Sequence, residues 1–168
     1  RDCREFIKKY NDVENFNVYG NERFIYQYIS DKYPETELKF DIEQIKLTTI
    51  DIEVKSEYGF PDVESCAEEI LLITLQDYTT KQIRTWGLGA FNNKQENVIY
   101  KSFRTEYELL TDFINWWMIE DNTPEVITGW NSKLYDIPYL CRRIDRILGE
   151  KLKKRMSPWG LVTEEETF

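Results

Sequence analysis

The alternation of apolar and polar residues predicts a series of short strands along most of the chain. Residues Leu47 to Val54 (LTTIDIEV) place apolar side chains at every second position, as a half-buried strand does. Residues Ile70 to Leu75 (ILLITL) form a continuous apolar run typical of a buried central strand. We expect 83–88 to form its hairpin partner, and the same pattern predicts further strands at 24–29, 40–45, 98–103 and 125–129.

Helical spacing appears in three places. Residues 2–9 are typical of the end of a helix. Thr105 and Glu108 form a T-x-x-E capping box that begins a helix to about Met118, with its tryptophans predicted in the core or at a domain contact. A further helix is predicted from near Leu134 to Leu148 and ends at Gly149. Hairpin-linked strands followed by helix, strand and helix predict an α/β domain on a mixed sheet.

Two carboxylates interrupt the apolar pattern of the strand at 47–54. Asp51 and Glu53 are two residues apart, so both point to the face opposite Ile50 and Ile52. Like charges this close are unfavourable unless a cation lies between them. Taken alone, however, an Asp-x-Glu pair is more often solvated surface decoration than a metal site.

A second polar stretch, TGWNSKLYDIPYL, occupies 128–140. A strand is predicted to end at Gly129, and a polar loop leads to a helix that begins near Asp136. The region beyond the carboxyl end of a strand is a frequent binding site in α/β proteins. Asp136 can complete a metal site with Asp51 and Glu53, or it can simply stabilise the helix dipole.

Composition narrows the chemistry. The chain has 168 residues, 15% of them aromatic, which suffices for one domain with a hydrophobic core and a small appendage. It has no histidine, which excludes Ser-His-Asp catalysis and histidine-bound zinc and leaves carboxylates with hard cations such as Mg²⁺ or Mn²⁺.

Cys3, Cys66 and Cys141 are too scattered for a disulfide framework and are predicted to be buried, reduced thiols. No apolar run is long enough to span a membrane, and no signal peptide opens the chain, so we expect a protein that is not secreted.

The net charge of −9 argues against a surface that binds nucleic acid everywhere. Basic residues nevertheless cluster in one stretch that contains only two acidic residues, Asp145 and Glu150. Such a stretch suits a phosphate backbone, although a solvated helix face is an equally good interpretation. Its members are Arg142, Arg143, Arg146, Lys151, Lys153, Lys154 and Arg155.

The two motifs together resemble the 3′–5′ exonuclease domain of family B DNA polymerases, most closely those of T-even-type phages. DIE at 51–53 is similar to the first exonuclease motif, D-x-E, and GWNSKLYD at 129–136, followed by IPYL, is similar to the second. The resemblance implies an RNase H-like (DEDD) mixed sheet with flanking helices. It also implies that 1–46 belong to the N-terminal domain of a polymerase and 47–168 to its exonuclease domain.

The resemblance further implies a two-metal-ion hydrolysis of phosphodiesters at DNA 3′ ends, with Asp51, Glu53 and Asp136 as catalytic metal ligands for Mg²⁺ or Mn²⁺. Asn131 and Tyr135 would bind the terminal nucleotides, and Tyr135 replaces the phenylalanine that the family often has. Among the basic residues, Arg142, Lys151, Lys153, Lys154 and Arg155 are the candidate DNA contacts. The implied partners are single-stranded DNA, the rest of a polymerase in cis or trans and, through it, a sliding clamp, in the cytoplasm of a bacterial host.

The third family motif, Y-x-x-x-D, is expected on a helix after the second and is not found there. The match at Tyr58–Asp62 contains Gly59 and Pro61, so we predict a loop. The chain begins with Arg1 and ends in an acidic run, and we expect a piece of a longer protein that lacks the last helix of the fold. Three hypotheses remain open: a proofreading exonuclease module, a non-catalytic DNA-binding or polymerase-docking module, and a stand-alone nuclease of the same fold.

Overall fold

The structure is a computed structural model that describes residues 2–11, 13–16, 24–34, 37, 39, 41–57 and 59–163. The chain divides into two compact units, Arg1–Phe40 and Asp41–Phe168. None of the helices in the described part of the chain is long and apolar enough to cross a membrane.

The first unit contains two helices, α1 (Asp2–Tyr10) and α2 (Phe24–Lys32). The helix predicted at 2–9 is confirmed, but the strand predicted at 24–29 is wrong, because those residues lie in α2. Within the described part of this unit there is no strand that could pair with such a segment. A helix satisfies its backbone hydrogen bonds internally, and Gln27 Nε2 adds a bond of 2.7 Å to Asp31 Oδ1 one turn later.

The second unit begins with another correction. The strand predicted at 40–45 is wrong within the described residues, because Ile42–Gln44 form a single 3₁₀ turn; Phe40 lies outside them. The side chain of Asp41 accepts a hydrogen bond from the backbone N–H of Glu43 at 3.0 Å. This local cap competes with an extended conformation and explains the turn.

The described residues of this unit contain five strands, β1 Leu47–Val54, β2 Ile70–Asp77, β3 Ile83–Leu88, β4 Val98–Phe103 and β5 Val126–Thr128. They form a mixed sheet in the order β4-β3-β2-β1-β5. The strands β1, β2 and β3 pair antiparallel, whereas β1 with β5 and β3 with β4 pair parallel. The strands predicted at 47–54, 70–75, 83–88, 98–103 and 125–129 are all confirmed, including the hairpin.

The two helices predicted in this unit are confirmed, as α3 (Glu106–Trp117) and α4 (Asp136–Leu148). The Thr105 side chain accepts a hydrogen bond from the N–H of Glu108, while Glu108 accepts one from the N–H of Arg104. Gly149 ends α4 with a φ of 91°, a conformation that glycine adopts without strain. A short helix α5 (Glu150–Lys153) and a 3₁₀ turn at Lys154–Met156 follow.

Apolar side chains from one sheet face and from both helices form a continuous core. Ile50, Ile73 and Trp86 contribute from the sheet, and Phe113 and Trp117 from α3. Trp117 is buried, which confirms the core prediction for it, and Trp116 packs against the core from a partly exposed position. Cys66 and Cys141 are buried free thiols, as predicted, while the side chain of Cys3 lies outside the described residues.

One buried ion pair connects the helices. Arg143 on α4 donates hydrogen bonds from Nε and Nη2 to the carboxylate of Glu106 on α3, and each side chain is 5% exposed. Glu106 Oε1 also accepts the N–H of Ile70 at the start of β2, at 2.9 Å. Burial by itself lowers the pKa of Arg143, but the hydrogen bond and the charge of Glu106 raise it. The net effect is a raised pKa, so the guanidinium stays charged.

We expect Glu106→Gln to lower the free energy of unfolding by about 3 kcal/mol, because it leaves the Arg143 charge buried without a counter-charge. Thermal unfolding followed by circular dichroism measures this loss. The matched control is Glu96→Gln, which changes an exposed carboxylate in the loop before β4. Equal melting temperatures for the two variants would contradict the role given to this pair.

Candidate active site

The strand β1 presents the predicted acidic pair on its open face. Asp51 and Glu53 are exposed, whereas Ile50 and Ile52 are buried in the core on the other face. Glu53 lies beside an irregularity in the pairing, because its partner is Leu72 while the next residue, Val54, pairs with Ile70. Such bulges occur often at functional sites, where they redirect side chains. The strand pattern thus places both carboxylates in solvent.

Asp136, the third predicted carboxylate, occupies a different environment. It is the first residue of α4 and only 4% exposed. Its Oδ1 accepts a hydrogen bond of 3.0 Å from the backbone N–H of Ile52, the residue between Asp51 and Glu53. Asp136 therefore contacts the acidic strand at the midpoint of the Asp-x-Glu motif.

The sheet topology explains this contact. The short strand β5 pairs only with Leu47, Thr48 and Thr49, so it ends before it reaches Ile52. The N–H of Ile52 would then lack a partner on this edge, and the side chain of Asp136 supplies one. Asp136 thus has a structural function, whatever else it does.

The loop between β5 and α4 is held close to β1. A Cβ atom on Gly129 would lie 2.5 Å from the carbonyl oxygen of Ile50, so only glycine permits this approach. Asn131 has a left-handed φ of 57°, and its carbonyl accepts the N–H groups of Leu134 and Tyr135 at 3.0 Å each. These turns bring Tyr135 and Asp136 back to the sheet edge.

The charges at the edge of β1 influence one another. Burial raises the pKa of Asp136; the hydrogen bond from Ile52 lowers it, and the charge of Asp51 raises it. The pKa of Tyr135 is also raised, first by burial and then by the charge of Asp136. A bound cation would relieve the repulsion among these carboxylates.

The three carboxylates suit a metal ion by their chemistry but not by their positions. All three side chains are carboxylates, which are the ligands preferred by Mg²⁺ and Mn²⁺. In the described part of the chain, however, no group of three acidic or cysteine side chains lies close enough together to hold an ion. Asp136 is turned toward the backbone of β1, while Asp51 and Glu53 extend into solvent. The ligand chemistry therefore fits Mg²⁺ or Mn²⁺, whereas the described arrangement does not gather the three carboxylates around one ion.

The aromatic residues beside Asp136 include one that the sequence analysis did not select. Phe60 is 82% exposed, and its ring centroid lies 4.8 Å from that of Tyr135. Tyr135 in turn contacts Tyr139 at 5.6 Å. An apolar residue between Gly59 and Pro61, in a loop soon after the Asp-x-Glu motif, is the feature of the sequence that indicates Phe60.

The loop predicted around the Tyr58–Asp62 match is confirmed for Gly59 to Asp62, while Tyr58 lies outside the described residues. Asp62 accepts the N–H of Ser65 at 2.7 Å, and this hydrogen bond lowers its pKa. Its carboxylate therefore stabilises a turn in the loop.

The basic stretch does not form one free surface. Arg142 bonds to the carbonyl of Val63 and to Glu64, Lys153 to Asp145 at 2.5 Å, and Lys154 to Glu150 at 2.8 Å. Lys151 and Arg155 are exposed, with no ion pair to any other residue that the structure describes. These two remain the candidates for a phosphate contact from this stretch.

Comparison with known proteins identifies the fold family. Residues 7–167 match the family described as DNA polymerase family B, exonuclease domain. The chain belongs to this family. Its mixed five-stranded sheet and flanking helices are consistent with that assignment.

Two curated relatives are the DNA-directed DNA polymerases of Escherichia phage RB69, 32% identical over 94% of the chain, and of Enterobacteria phage T4, 31% identical over 96%. The DNA polymerase catalytic subunit of human herpesvirus 6A is 35% identical over 59% of the chain. The exonuclease-domain chain spans 20% of the length of each phage polymerase and 10% of the herpesvirus subunit. The resemblance to family B polymerases is thereby confirmed.

We expect two substitutions at Asp136 to have different effects on stability in metal-free buffer. Asp136→Asn keeps an oxygen acceptor for Ile52 and removes a buried charge, so its melting temperature at pH 7 should equal or exceed that of the native chain. Asp136→Ala leaves the Ile52 N–H without its acceptor and should lose about 1–3 kcal/mol.

The pH dependence of this difference is a second check. Because the pKa of Asp136 is raised above its ordinary value of 3.8 in the folded chain, the native protein loses stability relative to Asp136→Asn as pH rises from 3.8 through the raised pKa. Thermal unfolding of both proteins between pH 4 and 8 measures this. If the difference in stability between the native chain and Asp136→Asn is constant with pH, burial does not raise the pKa of Asp136.

Proposed function

We propose that this chain is the 3′–5′ exonuclease part of a family B DNA-directed DNA polymerase and hydrolyses phosphodiesters at DNA 3′ ends. The observation that carries the proposal is the hydrogen bond from Ile52 to Asp136, which joins the D-x-E motif to the second motif at one sheet edge. The family match over residues 7–167 supplies the context in which these motifs have this meaning. An RNase H-like fold, with the carboxylates at the edge of its first strand, is part of the proposal.

Asp51, Glu53 and Asp136 would hold the Mg²⁺ or Mn²⁺ ions. Such ions, when bound, supply water activation and stabilisation of the charge that develops on the phosphate and the leaving oxygen. The two exposed carboxylates offer oxygens directly to solvent. Asp136 keeps Oδ1 on the N–H of Ile52, which fixes the direction of the whole carboxylate relative to the pair.

The 3′-terminal nucleotides would lie against the aromatic pair. Phe60 offers a largely exposed ring, and Tyr135 contacts that ring and directly precedes Asp136 in the chain. Aromatic rings bind single-stranded nucleic acid by stacking on bases without regard to sequence. Asn131, exposed in the preceding turn, can donate hydrogen bonds to the same nucleotides.

We further propose that the complete catalytic site needs a fourth carboxylate from the rest of the polymerase, in cis or in trans. Residues 1–46 would then belong to the polymerase N-terminal domain and 47–168 to the exonuclease domain. Contact with a sliding clamp and the location in a bacterial host cell would be properties of the whole polymerase. This proposal is supported by the two phage DNA polymerases, because the chain matches only 20% of the length of each.

A second candidate function is a non-catalytic module that binds single-stranded DNA or docks on a polymerase. One observation favours it: among the described residues, no three acidic side chains lie close enough together to hold a metal ion. In this case the aromatic pair and the exposed basic residues would bind DNA without cleaving it. The two functions make different predictions for the same substitution.

The deciding experiment is the degradation of a 5′-labelled single-stranded oligonucleotide with Mg²⁺ or Mn²⁺. With the downstream part of the polymerase added to supply the fourth carboxylate, we expect stepwise shortening from the 3′ end by the native chain and at least a hundredfold slower shortening by Asp51→Ala, because an essential metal ligand is lost. The matched control is Asp121→Ala, which removes an exposed acidic residue between α3 and β5. DNA binding without cleavage by both the native chain and Asp51→Ala would favour the binding module.

Metal affinity can be measured separately from activity. Titration with Mn²⁺, followed by its electron paramagnetic resonance, should show weaker binding for Asp51→Ala and Glu53→Ala than for Asp121→Ala. The folds of all three variants should remain intact, because both site carboxylates are exposed. Unchanged Mn²⁺ affinity in the two site variants would argue against the metal site itself.

We expect Lys151→Glu to weaken DNA binding and to reduce the slope of log affinity against log salt by about 0.7, the value for one phosphate contact on a single strand. Arg155→Glu should do the same. Lys94→Glu, which makes an equal charge change in the exposed loop before β4, is the control. Binding titrations at several salt concentrations give the slopes, and identical slopes for Lys151→Glu and Lys94→Glu would mean that Lys151 touches no phosphate.

A further inference from the structure

Three arginines of α4 bind one loop through its backbone carbonyls. Arg142 donates from Nη1 to Val63 at 2.7 Å, and Arg146 from Nη1 to Ser65 at 3.1 Å and to Cys66 at 3.3 Å. Arg143 donates from Nη1 to Cys66 at 2.9 Å and to Ala67 at 3.2 Å. These arginines of the basic stretch thus bind the protein's own backbone, in residues 59–69 of the loop between β1 and β2.

The loop adopts a conformation that needs such support. Cys66 has a φ of 43°, which is unfavourable for a residue with a side chain. The turn also holds itself, since the N–H of Cys66 donates to the carbonyl of Asp62 at 3.0 Å. Residues in such conformations persist only where the surrounding structure fixes them. The guanidinium groups, as charged donors, supply strong bonds for this purpose.

Both ends of the same loop lie against the first turns of α4. At one end, the ring of Phe60 contacts the ring of Tyr135 in a tilted arrangement, with 4.8 Å between the ring centroids. At the other, the Tyr139 hydroxyl donates to the carbonyl of Glu68 at 2.8 Å. The helix α4 therefore sets the position of the loop along its length and also carries Tyr135 and Asp136 of the candidate site.

The three arginines differ in their other contacts. Arg143 belongs to the buried pair with Glu106, and its loss would affect the whole domain. Arg142 is 23% exposed and pairs with the exposed Glu64 at 3.0 Å, while Arg146 is exposed. Replacing either of them removes bonds to the loop without leaving a buried charge. Their effect on the loop can therefore be measured in a protein that still folds.

We propose that Arg142 and Arg146 are positioning residues, which hold the 59–69 loop so that Phe60 lies against Tyr135 and thereby orient the 3′-terminal nucleotide. This inference rests on the proposed exonuclease function and assigns Arg142 to the loop rather than to a DNA phosphate. The two arginines act through Phe60. They act at the step of nucleotide binding and leave the metal-binding carboxylates unchanged.

The first test needs no DNA. Arg142→Met and Arg146→Met keep an unbranched side chain and remove the donors. In hydrogen exchange with mass spectrometry, peptides covering 59–69 should exchange about tenfold faster in each variant, whereas peptides of β1 should not change. Arg155→Met, which removes an exposed arginine after α5, is the matched control and should leave the loop unaffected. Unchanged exchange in the loop of both variants would overturn the proposal.

The second test concerns the nucleotide. An oligonucleotide with 2-aminopurine at its 3′ end, bound in EDTA, reports stacking of the terminal base by quenching of its fluorescence. Phe60→Ala should relieve the quenching, Arg142→Met should relieve it by a similar factor, and the double variant should show no further change. Additive effects of the two substitutions would mean that Arg142 acts independently of Phe60.

The salt dependence separates positioning from direct contact. Arg142→Met should leave the slope of log affinity against log salt unchanged, whereas a decrease of about 0.7 would identify Arg142 as a phosphate contact and overturn the proposal. If the native chain gives no quenching of the terminal base at all, the proposed nucleotide site fails and the orienting role fails with it. The exchange result then still decides whether the arginines hold the loop.

Discussion

The buried ion pair between Arg143 and Glu106 is the interaction on which the arrangement of the larger unit depends. It joins α4 to α3, and Glu106 also binds the first backbone N–H of β2. Two buried charges are tolerable only because each is neutralised and hydrogen-bonded by the other. Because Arg143 also binds the carbonyls of Cys66 and Ala67, the same pair anchors the loop before β2. This pair therefore links α4, α3, the start of β2 and the loop before it at one point.

The helix α4 brings the second motif to the sheet. Its first residue, Asp136, completes the backbone hydrogen bonding of β1 where β5 ends. A neutral acceptor could do the same without the cost of burying a charge, and burial indeed raises the pKa of this carboxyl. A carboxylate at the midpoint of an acidic pair also suits the proposed cation site. The structural and proposed catalytic roles of Asp136 are therefore compatible.

The basic residues illustrate how charge along a sequence differs from charge on a surface. Arg142, Arg143 and Arg146 follow one another closely on α4, which made them a plausible phosphate-binding stretch. Each one instead donates to carbonyl oxygens of a loop that lies far away in sequence. Backbone carbonyls without strand or helix partners need donors, and arginine reaches several of them at once. Lys151 and Arg155, beyond the end of this contact, retain their exposure.

The sequence by itself determined the strands of the sheet, the two long helices and the acidic pair on one face of β1. These features depend on local periodicity, on caps such as Thr105 and on Gly149, which act within a few residues. The family, too, followed from two short motifs whose spacing along the chain is visible without a structure. Local composition was insufficient for 24–29, where a segment rich in aromatic residues and isoleucine is typical of a strand but forms α2.

Only the tertiary structure decided which side chains meet. The hydrogen bond from Ile52 to Asp136 forms because the pairing of β5 with β1 ends at Thr49, three residues before Ile52. The residues around Asp136 do not determine where that pairing ends. The contact of Phe60 with Tyr135 and the turning of the arginines toward 63–67 likewise join segments more than 70 residues apart. Hydrogen bonds and ring contacts between distant segments depend on how the elements pack, and periodicity along a chain carries no information about that packing.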